Sequence, residues 1–427
     1  MRDIIFISNE EDYNMDIQNS LAQRARGKEP SPIRELLKYM KIPGMISLGG
    51  GYPNPETFVF DSVSIKFKDG NEVSIKDSDI NVASQYGPSD AHPKLKNEII
   101  KWQELKDGVS LNDSQIVILN GSQEGLFIVS YLFLESNDSI VVSEPTYPGA
   151  LSAFRSFTHN FIAIPLDSNG MNTAILEEKL GDLKSKNQKL PKIIYIIPNG
   201  HNPGGISMSD ERKEHVIKLA NKYDLLIVED DPYQLVKLES KKNAATLQSM
   251  DKQGRVIRLD SFSKIFAPGL RVGYASGDSE IIRQFILFKQ SCNLHTSMFI
   301  QEILYQYMNA FGQANFLNHI KNNCKLYQTN RDAMIDAAKK YLPAEVKFNI
   351  PQEGMFVWFE LPEYMNAQQL VDKYCEKLKV LLVPGISFST IKGNKNCMRA
   401  SFSLVPPDQI HEGIKRFGEM IQLELTS

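Results

Sequence analysis

Residues 255–274 read Arg-Val-Ile-Arg-Leu-Asp-Ser-Phe-Ser-Lys-Ile-Phe-Ala-Pro-Gly-Leu-Arg-Val-Gly-Tyr, and they hold the most informative group of side chains in the chain. The stretch starts as an apolar run that suits a buried strand, passes an Ala-Pro-Gly turn and resumes as a second apolar strand. Ser261, Ser263, Lys264 and Arg271 lie in or beside the connection between the two strands. The sequence therefore places one lysine among hydroxyl groups and near an arginine.

This combination suits a phosphorylated aldehyde cofactor. Lys264 is the candidate amine that forms an imine with the aldehyde, and Ser261, Ser263 and Arg271 are candidate donors to the dianionic phosphate. The stretch resembles the lysine signature of the class I and II aminotransferases, the fold-type I enzymes that use pyridoxal 5′-phosphate. For this segment taken alone, a strand with a surface lysine and a Pro-Gly turn is the alternative interpretation.

The composition excludes several classes of partner. The chain has 427 residues, 42% apolar and 23% charged, which is enough to bury a large core in more than one lobe. Its 48 Lys and Arg against 51 Asp and Glu give a net charge of −3 without a basic block, so no nucleic-acid partner is expected. The N-terminus is too acidic for a transit peptide, and no apolar run approaches the roughly 20 residues that span a bilayer. A cytoplasmic protein without a membrane partner is expected.

The cysteines and histidines predict neither a disulfide framework nor a metal site. The four cysteines are Cys292, Cys324, Cys375 and Cys397. They lie far apart and form no Cys-x-x-Cys pair, which favours a reducing compartment. The seven histidines are scattered and form no His-Glu-x-x-His helix, so no metal ion is expected.

A glycine turn follows one of the other apolar runs. Residues 116–119 predict a short buried strand, and Asn120-Gly121-Ser122-Gln123 then opens a helical run. A turn of this kind presents unpaired backbone N–H groups and the positive end of a helix dipole to a phosphate. Ser122 and Gln123 are therefore candidate phosphate contacts, and a capped helix with nothing bound is the alternative.

Two further strand ends carry residues that match the resembled family. The run at 140–142 leads to Tyr147, which matches the residue that stacks on the pyridine ring of the cofactor. The run at 193–197 leads to Asn202, which matches the donor to the phenolic oxygen of the cofactor and a substrate contact. The family often has Thr where this chain has Gly204, an exchange expected to loosen the turn slightly.

The apolar run at 225–228 leads into Glu-Asp-Asp-Pro-Tyr. Pyridoxal phosphate withdraws electrons well only if its ring nitrogen is protonated, which requires a carboxylate beside it. The Asp-x-x-Tyr spacing of the family aligns this carboxylate with Asp230 and a second donor to the phenolic oxygen with Tyr233. Asp231 is interpreted as structural.

The N-terminal arm and one tyrosine are expected to complete the site. The segments around Arg34 and Gly51 resemble the arm of the kynurenine/2-aminoadipate branch of the family, which lies over the substrate. Arg34, Gly51 and Tyr52 are the candidate substrate contacts on this arm. Tyr86, in Gln-Tyr-Gly-Pro, resembles the tyrosine that reaches across a homodimer interface to the cofactor phosphate of the partner. A solvated helix face for Arg34 and a buried turn residue for Tyr86 are the alternatives.

The overall architecture follows from the alternation of apolar strands with helical patterns, which indicates a parallel α/β sheet with ligands at the carboxyl ends of its strands. The resemblance implies a fold-type I transferase with a mostly parallel seven-stranded sheet flanked by helices, plus a smaller α+β domain. The predicted division is an arm with a small-domain contribution (1–55), a large cofactor-binding domain (56–315) and a C-terminal small domain (316–427). Residues 67–80, which are polar and charged, are predicted to be a loop or an insertion that varies within the family.

The C-terminal domain contributes one more candidate site residue. Arg399 lies on an alternating strand and matches the arginine that binds the substrate α-carboxylate with two parallel hydrogen bonds.

The resemblance covers the chain from about Leu21 onward and implies a homodimeric pyridoxal-phosphate aminotransferase. Lys264, Asp230 and Tyr147 are the expected catalytic residues. An aromatic amino acid, kynurenine or 2-aminoadipate is expected to give its amino group to a 2-oxo acid, such as 2-oxoglutarate, by a ping-pong mechanism. The order of preference among these donors stays open. A cysteine-conjugate β-lyase is one alternative, and a non-catalytic pyridoxal-phosphate sensor is another, although too few residues precede Arg34 for a DNA-binding domain.

Overall fold

The computed structural model describes residues 16–32, 36, 39, 42–46, 48–239 and 245–426. Strands and helices alternate through most of the chain, as the sequence predicts. The strands are β1 (Val63–Lys66), β2 (Glu72–Ile75), β3 (Ile116–Leu119), β4 (Ser139–Glu144), β5 (Asn160–Asp167), β6 (Gly170–Met171), β7 (Ile193–Ile196), β8 (Leu226–Asp230), β9 (Val256–Ser261), β10 (Gly273–Ser276), β11 (Lys347–Phe348), β12 (Phe356–Glu360), β13 (Val383–Pro384) and β14 (Cys397–Ser401).

The helices cover both faces of the large sheet and one side of the small one. The α-helices are Ile17–Ser20, Asp77–Ser84, Pro93–Asp107, Ser122–Phe133, Pro148–Arg155, Thr173–Ser185, Asp210–Tyr223, Leu247–Met250, Ser279–Cys292, Met298–Tyr341, Ala367–Leu378 and Pro407–Thr426. The short 3₁₀ helices are Gln23–Ala25, Pro55–Thr57, Asp113–Gln115, Pro268–Leu270 and Gly385–Phe388. In the part of the chain that the structure describes, every helix is too short or too polar to cross a membrane.

The large sheet has eight strands in the order β3-β10-β9-β8-β7-β4-β5-β6. Strands β5, β4, β7, β8 and β9 pair in parallel, whereas β10 is antiparallel to both of its neighbours. The prediction of a mostly parallel sheet is confirmed, but the predicted number of seven strands is one too low. The additional strand is β6, which spans only two residues and pairs antiparallel with the end of β5. It is too short to show any hydrophobic periodicity in the sequence.

The central strands are apolar because both of their faces are buried. In β7, Ile193 and Tyr195 pack into one hydrophobic core, whereas Ile194 and Ile196 pack into the core on the opposite face. All residues of β3, β7, β8 and β9 are buried. The loops that follow β3, β4, β7, β8 and β9 leave the sheet at one edge, which is where an α/β sheet of this type collects its ligand.

A second, four-stranded antiparallel sheet lies in the C-terminal part, in the order β11-β12-β14-β13. It shares a separate core with helices Ala367–Leu378 and Pro407–Thr426. Helix Met298–Tyr341 joins the two regions: Leu304 and Phe316 belong to the core of the large sheet, and Met334 belongs to that of the small sheet. The helix is broken at Gly312, which has a φ of 68°. The domain boundaries at residues 55 and 315 stay a prediction.

The predicted loop at residues 67–80 is wrong for its second half. Strand β2 and the first residues of helix Asp77–Ser84 occupy this region, and β2 pairs with β1 as a hairpin. Val73 and Ile75 point inward between charged or polar neighbours, and Ile75 packs against Ile80. Two inward positions are too few for a convincing strand signal in the sequence.

Candidate active site

A cavity of about 320 Å³ opens where the carboxyl ends of the parallel strands meet. Its lining combines hydroxyl, amide, carboxylate, amine and guanidinium groups with a few apolar side chains. The lining residues are Ser122, Gln123, Tyr147, Ile197, Asn202, Asp230, Pro232, Tyr233, Ser261, Ser263, Lys264, Pro268, Arg271, Phe356 and Arg399. The structure thus brings together predicted residues that lie as far apart in the sequence as Ser122 and Arg399.

Lys264 provides the only amine in this lining. It lies in the turn after β9 and is partly buried. Burial lowers the pKa of Lys264 below the ordinary lysine value, and the positive charges of Arg271 and Arg399 lower it further. A larger fraction of the amine is therefore neutral near pH 7, which suits a nucleophile or a base.

An anion-binding corner is formed by the start of helix Ser122–Phe133 and the side chain of Arg271. The helix begins after Gly121, and no side chain among the described residues caps its first N–H groups. Arg271 Nη1 donates to Ser263 Oγ over 3.4 Å. The same guanidinium donates to the Pro268 carbonyl over 3.1 Å, which holds it beside the helix start. Free helix N–H groups, a hydroxyl and an arginine together fit a phosphate.

Gly121 explains how Arg271 comes so close to the helix. The residue has a φ of 81°, a conformation that favours glycine. A Cβ atom at this position would lie 2.5 Å from Arg271 Nη2, so any side chain would displace the guanidinium. The same Nη2 donates to the carbonyl of Asn120 over 3.3 Å. The close approach therefore depends on the glycine that precedes the helix.

Asp230 ends β8 with its side chain at the cavity. It is almost fully buried, and its Oδ2 accepts a hydrogen bond of 2.8 Å from the hydroxyl of Tyr195. Its Oδ1 is buried and has no hydrogen-bond partner among the described residues. Burial raises the pKa of Asp230 to about 7, against the lowering effect of the bond from Tyr195. An unpaired carboxylate oxygen in a cavity suits a cationic N–H group of a ligand.

Asp231 lies outside the cavity lining, in a network of buried charges. Its Oδ2 lies 3.2 Å from Arg258 Nη2 and accepts a hydrogen bond of 2.7 Å from Asn199. Arg258 is fully buried and also pairs with Glu229 at 3.0 Å and Asp260 at 2.8 Å. These contacts agree with the interpretation of Asp231 as a structural residue.

Tyr147 and Gln123 form one wall of the cavity. Gln123 Nε2 donates to the carbonyl of Gly149 over 2.8 Å, and the Tyr147 hydroxyl donates to Gln123 Oε1 over 3.4 Å. Burial raises the pKa of Tyr147, and the nearby carboxylate of Asp230 raises it further. Burial also raises the pKa of Tyr233, so both phenols stay protonated near pH 7 and act as hydrogen-bond donors.

Arg399 reaches the cavity from β14 of the small sheet. Its Nη1 donates to Asn202 Oδ1 over 2.8 Å, which leaves the amide nitrogen of Asn202 as a donor. The guanidinium carbon lies 4.4 Å from the ring centre of Phe356 and 4.9 Å from that of Phe388. The Nε of Arg399 is buried and has no hydrogen-bond partner in the described part of the chain. A guanidinium held between two rings, with a free donor, suits a carboxylate.

His201 and Gly204 belong to the turn that carries Asn202. The ring of His201 is buried, contacts Ser143 Oγ at 2.8 Å and accepts from the backbone N–H of Gly204 over 3.2 Å. Burial lowers the pKa of His201 to about 3, so the ring stays neutral at ordinary pH. The histidine ring supports the turn from inside through this bond to Gly204. The expectation that Gly204 loosens the turn slightly stays a prediction.

The predicted arm residues lie apart from this cavity. Gly51 is exposed, and the rings of Tyr52 and Tyr86 contact each other edge to face with centroids 6.4 Å apart. Tyr86 is 53% exposed and also lies near the ring of His295, 6.2 Å away. Within one chain, Gly51, Tyr52 and Tyr86 do not join the cavity lining. Arg34 lies outside the described residues.

Phe356, which lines the cavity, and Tyr195 and Phe388, which contact residues of the lining from outside it, were missed in the sequence. Tyr195 and Phe356 lie inside strands, where an aromatic residue fits the apolar pattern and carries no separate signal. Phe388 lies in a short 3₁₀ helix that no motif marks. Among the described residues, no group of three or more His, Cys, Asp or Glu side chains is placed to hold a metal ion.

A lysine amine, a buried carboxylate and an anion-binding helix start, all at the carboxyl edge of a mostly parallel sheet, define an enzyme of the fold-type I class that works through a bound cofactor. The profile of the family "Aminotransferase class I and II" matches residues 49–417, and the chain belongs to this family. The predicted family, fold class and enzyme class are confirmed.

The chain is also similar to individual aminotransferases over almost its whole length. An aromatic-amino-acid aminotransferase of Thermococcus litoralis is 36% identical over 96% of this chain and 96% of its own length. The mitochondrial kynurenine/alpha-aminoadipate aminotransferase of Mus musculus is 34% identical over 96% of this chain and 100% of its own length. The crystal structure of a Pyrococcus horikoshii kynurenine aminotransferase, in complex with PMP, KYN as substrates and KYA as products, matches 96% of this chain and 99% of its own, with 36% identity and a TM-score of 0.78.

Proposed function

We propose that the chain binds pyridoxal 5′-phosphate in the cavity at Lys264 and transfers an amino group from an amino acid to a 2-oxo acid in a ping-pong reaction. The observation that carries this proposal is the composition of one cavity, in which the Lys264 amine shares the lining with the unpaired Oδ1 of Asp230 and the anion-binding corner of Arg271. The aldehyde, the ring nitrogen and the phosphate of the cofactor then each have a matching partner.

The residues that would hold the cofactor fit its chemistry. Its phosphate suits the start of helix Ser122–Phe133, with Gln123, Ser261, Ser263 and Arg271 around it. Its ring nitrogen suits Asp230 Oδ1, and its phenolic oxygen suits two neighbouring donors, the amide nitrogen of Asn202 and the hydroxyl of Tyr233. Tyr147 supplies an aromatic face for the ring. When bound, pyridoxal phosphate supplies an aldehyde for the amine and a ring that takes up electrons from the substrate α-carbon.

Lys264 is the residue that moves the proton in this proposal. Its lowered pKa favours the neutral amine, which would be the group that holds the cofactor. When free, the same amine would act as the base for the proton on the substrate α-carbon. Asp230, as a carboxylate, would stabilise positive charge on the ring of a bound cofactor.

Arg399 would bind the substrate α-carboxylate, since it lines the same cavity and has an unpaired Nε. The apolar side chains of Ile197 and Phe356 leave the neighbouring wall suited to aromatic or aliphatic substrate side chains. We therefore propose aromatic amino acids, kynurenine and 2-aminoadipate as donors and 2-oxoglutarate as acceptor. The activities for which the two relatives are named support this range.

A homodimer is part of the proposal. Ile46 is 85% exposed and Leu48 is 96% exposed, next to Gly51 and Tyr52 on the arm. A run of exposed apolar residues of this kind is expected at a protein interface. In the dimer, Tyr86 would reach the cofactor phosphate of the partner, and the arm with Arg34, Gly51 and Tyr52 would lie over a substrate. The free cysteines agree with the proposed cytoplasmic location.

The test is a single-turnover absorbance scan of the cofactor-loaded protein. The protein is mixed separately with kynurenine, 2-aminoadipate, phenylalanine, tryptophan and glutamate. Loss of the cofactor's long-wavelength band, with growth of the pyridoxamine band, identifies a donor and ranks it by rate. Recovery of the first band on adding 2-oxoglutarate completes the cycle. A protein that binds the cofactor but is discharged by none of these amines would contradict the proposed function.

A further inference from the structure

Tyr195 contacts the carboxylate of Asp230 from inside the large sheet. It lies on β7, is fully buried, and donates its hydroxyl hydrogen to Asp230 Oδ2 over 2.8 Å. The ring of Phe154 packs edge to face against it, with centroids 5.3 Å apart. Tyr195 lies outside the cavity lining, so it acts on a bound ligand only through Asp230.

The strand register fixes this contact. Tyr195 pairs with Val228 across the parallel β7 and β8 strands. Asp230 is two residues beyond Val228, so its side chain lies on the same face of the sheet as that of Tyr195 and diagonally adjacent to it. The two side chains meet because of backbone pairing in the middle of the sheet, which is a rigid support.

We propose that Tyr195 is a positioning residue that holds Asp230 as a carboxylate with Oδ1 directed at the ring nitrogen of the cofactor. This inference rests on the proposed function, because it requires pyridoxal phosphate in the cavity. A carboxylate has two oxygens, and the phenol occupies Oδ2, so Oδ1 is left for the ligand. Among the described residues, the hydroxyl of Tyr195 is the one side-chain group that donates a hydrogen bond to Asp230.

The proton between Asp230 and the ring nitrogen goes to the stronger base. Burial and the negative charges of Asp231 and Asp260 favour protonated Asp230, whereas Tyr195 and Arg258 favour the carboxylate. The charged and titratable groups that act on Asp230 are Tyr195, which bonds to it, and Arg258, Asp260 and Asp231, which act through their charges; Tyr147 and Tyr233 in the loops respond to the charge of Asp230. Without the phenol, the balance moves toward protonated Asp230 and a neutral ring nitrogen, by transfer of one proton from the nitrogen to Oδ1.

The chain offers a matched control for the phenol. Tyr274 is also a buried tyrosine of the large sheet, and its hydroxyl donates to Gln103 Oε1 over 2.6 Å. Tyr274→Phe therefore removes an equally buried hydroxyl that does not bond to Asp230. The Tyr274 hydroxyl also interacts with Asp260, so this variant additionally shows how far a change beside Asp260 alone affects Asp230. Any general loosening of the sheet would affect both variants.

The experiment uses pyridoxal phosphate labelled with ¹⁵N in the ring, bound to the wild-type protein, Tyr195→Phe and Tyr274→Phe. The ¹⁵N chemical shift reports protonation of the ring directly and needs no turnover. We expect the protonated shift in the wild type and in Tyr274→Phe, and a shift moved toward neutral pyridine in Tyr195→Phe. An unchanged shift in Tyr195→Phe, or an equal movement in both variants, would overturn the inference.

A binding measurement gives a second readout. Apoprotein is titrated with pyridoxal phosphate and with an analogue that has C–H in place of the ring nitrogen. The preference for the true cofactor should fall about tenfold or more in Tyr195→Phe, because a hydrogen bond to a charged group is lost, and should be unchanged in Tyr274→Phe. An unchanged preference in Tyr195→Phe would refute the positioning role. If the wild-type protein retained no cofactor at all, the proposed function itself would fail.

Discussion

Arg399 and Asn202 are joined by a hydrogen bond of 2.8 Å from the guanidinium Nη1 to the amide Oδ1. Arg399 belongs to the small sheet and Asn202 to the loop after β7 of the large sheet, so the bond crosses the cavity between the two regions. It orients the amide so that its nitrogen is a donor on the side of Tyr233, and it holds the guanidinium at the place where a carboxylate is expected. In the proposed function, the α-carboxylate of a substrate and the cofactor would be recognised by neighbouring groups.

The first prediction concerns this arginine. Arg399→Lys should raise the KM for amino donors about 10- to 100-fold, because a lysine cannot replace two parallel guanidinium hydrogen bonds or stack between Phe356 and Phe388. The measurement is the half-reaction rate against donor concentration. Phenylethylamine, which lacks the carboxylate, is the control substrate. Its slower reaction should be unaffected, and an equal loss with both amines would argue against carboxylate binding by Arg399.

The second prediction concerns the anion-binding corner. Gly121→Ala should weaken cofactor affinity about tenfold or more, because its Cβ would displace Arg271 Nη2, 2.5 Å away. Gly108→Ala is the control for a positive φ: Gly108 has a φ of 68°, but its Cβ would meet nothing within 4 Å. Gly108 has left-handed helical backbone, and its exchange should cost roughly 1–2 kcal/mol of stability. Gly121, with a ψ of 164°, lies in a region almost restricted to glycine, so its exchange should cost more stability.

Equilibrium titration of the two apoproteins with pyridoxal phosphate measures the cofactor affinity of each variant. Only Gly121→Ala should bind more weakly. Equal affinities for the two variants would mean that Arg271 does not bind the phosphate.

The third prediction concerns the pH dependence of the cofactor-free protein. Burial raises the pKa of Asp230 to about 7 in the folded state, against an ordinary value near 3.8. Between these values the folded state binds a proton that the unfolded state does not, so this group makes stability fall as pH rises from about 4 to about 7. Asp230→Asn removes the effect. The stability of the variant relative to the wild type should rise through this range. The difference should level off above pH 7, at about 4 kcal/mol or less.

Thermal unfolding of the two apoproteins at pH 5 and pH 8 measures this difference. Asp231, whose pKa burial raises to about 6, is present in both proteins. Its negative charge also raises the pKa of Asp230, so the measured difference includes the interaction between the two carboxyl groups. A stability gap that is independent of pH would show that the carboxyl of Asp230 is not protonated in the folded state.

The sequence was informative wherever polar residues follow a strand. Lys264, Asp230 and Asn202 lie after fully apolar runs, and parallel pairing brings the ends of such runs to one edge, so their convergence was predictable without coordinates. Arg399 was predictable as a candidate only through its match to the family. Its bond to Asn202 depends on how the two sheets pack, which no local pattern encodes.

Other features depend on contacts between residues far apart in the chain, and no local sequence pattern predicts them. Tyr195 looks like one more apolar strand residue, and its role in the site depends on a register with β8 that only the folded sheet provides. Strand β6 forms because the chain turns back on β5, and its two residues have no period of their own. The packing of Phe388 against Arg399 joins a short helix to a strand of the small sheet.

The most direct test of the account is to find the residue that carries the cofactor. The cofactor-loaded protein is reduced with borohydride, digested and analysed by mass spectrometry. One phosphopyridoxyl group is expected, on Lys264, and none after Lys264→Ala, which should also lower turnover by at least about 10⁴-fold. A group attached to a different lysine, or turnover retained by Lys264→Ala, would contradict the central claim that Lys264 is the catalytic amine.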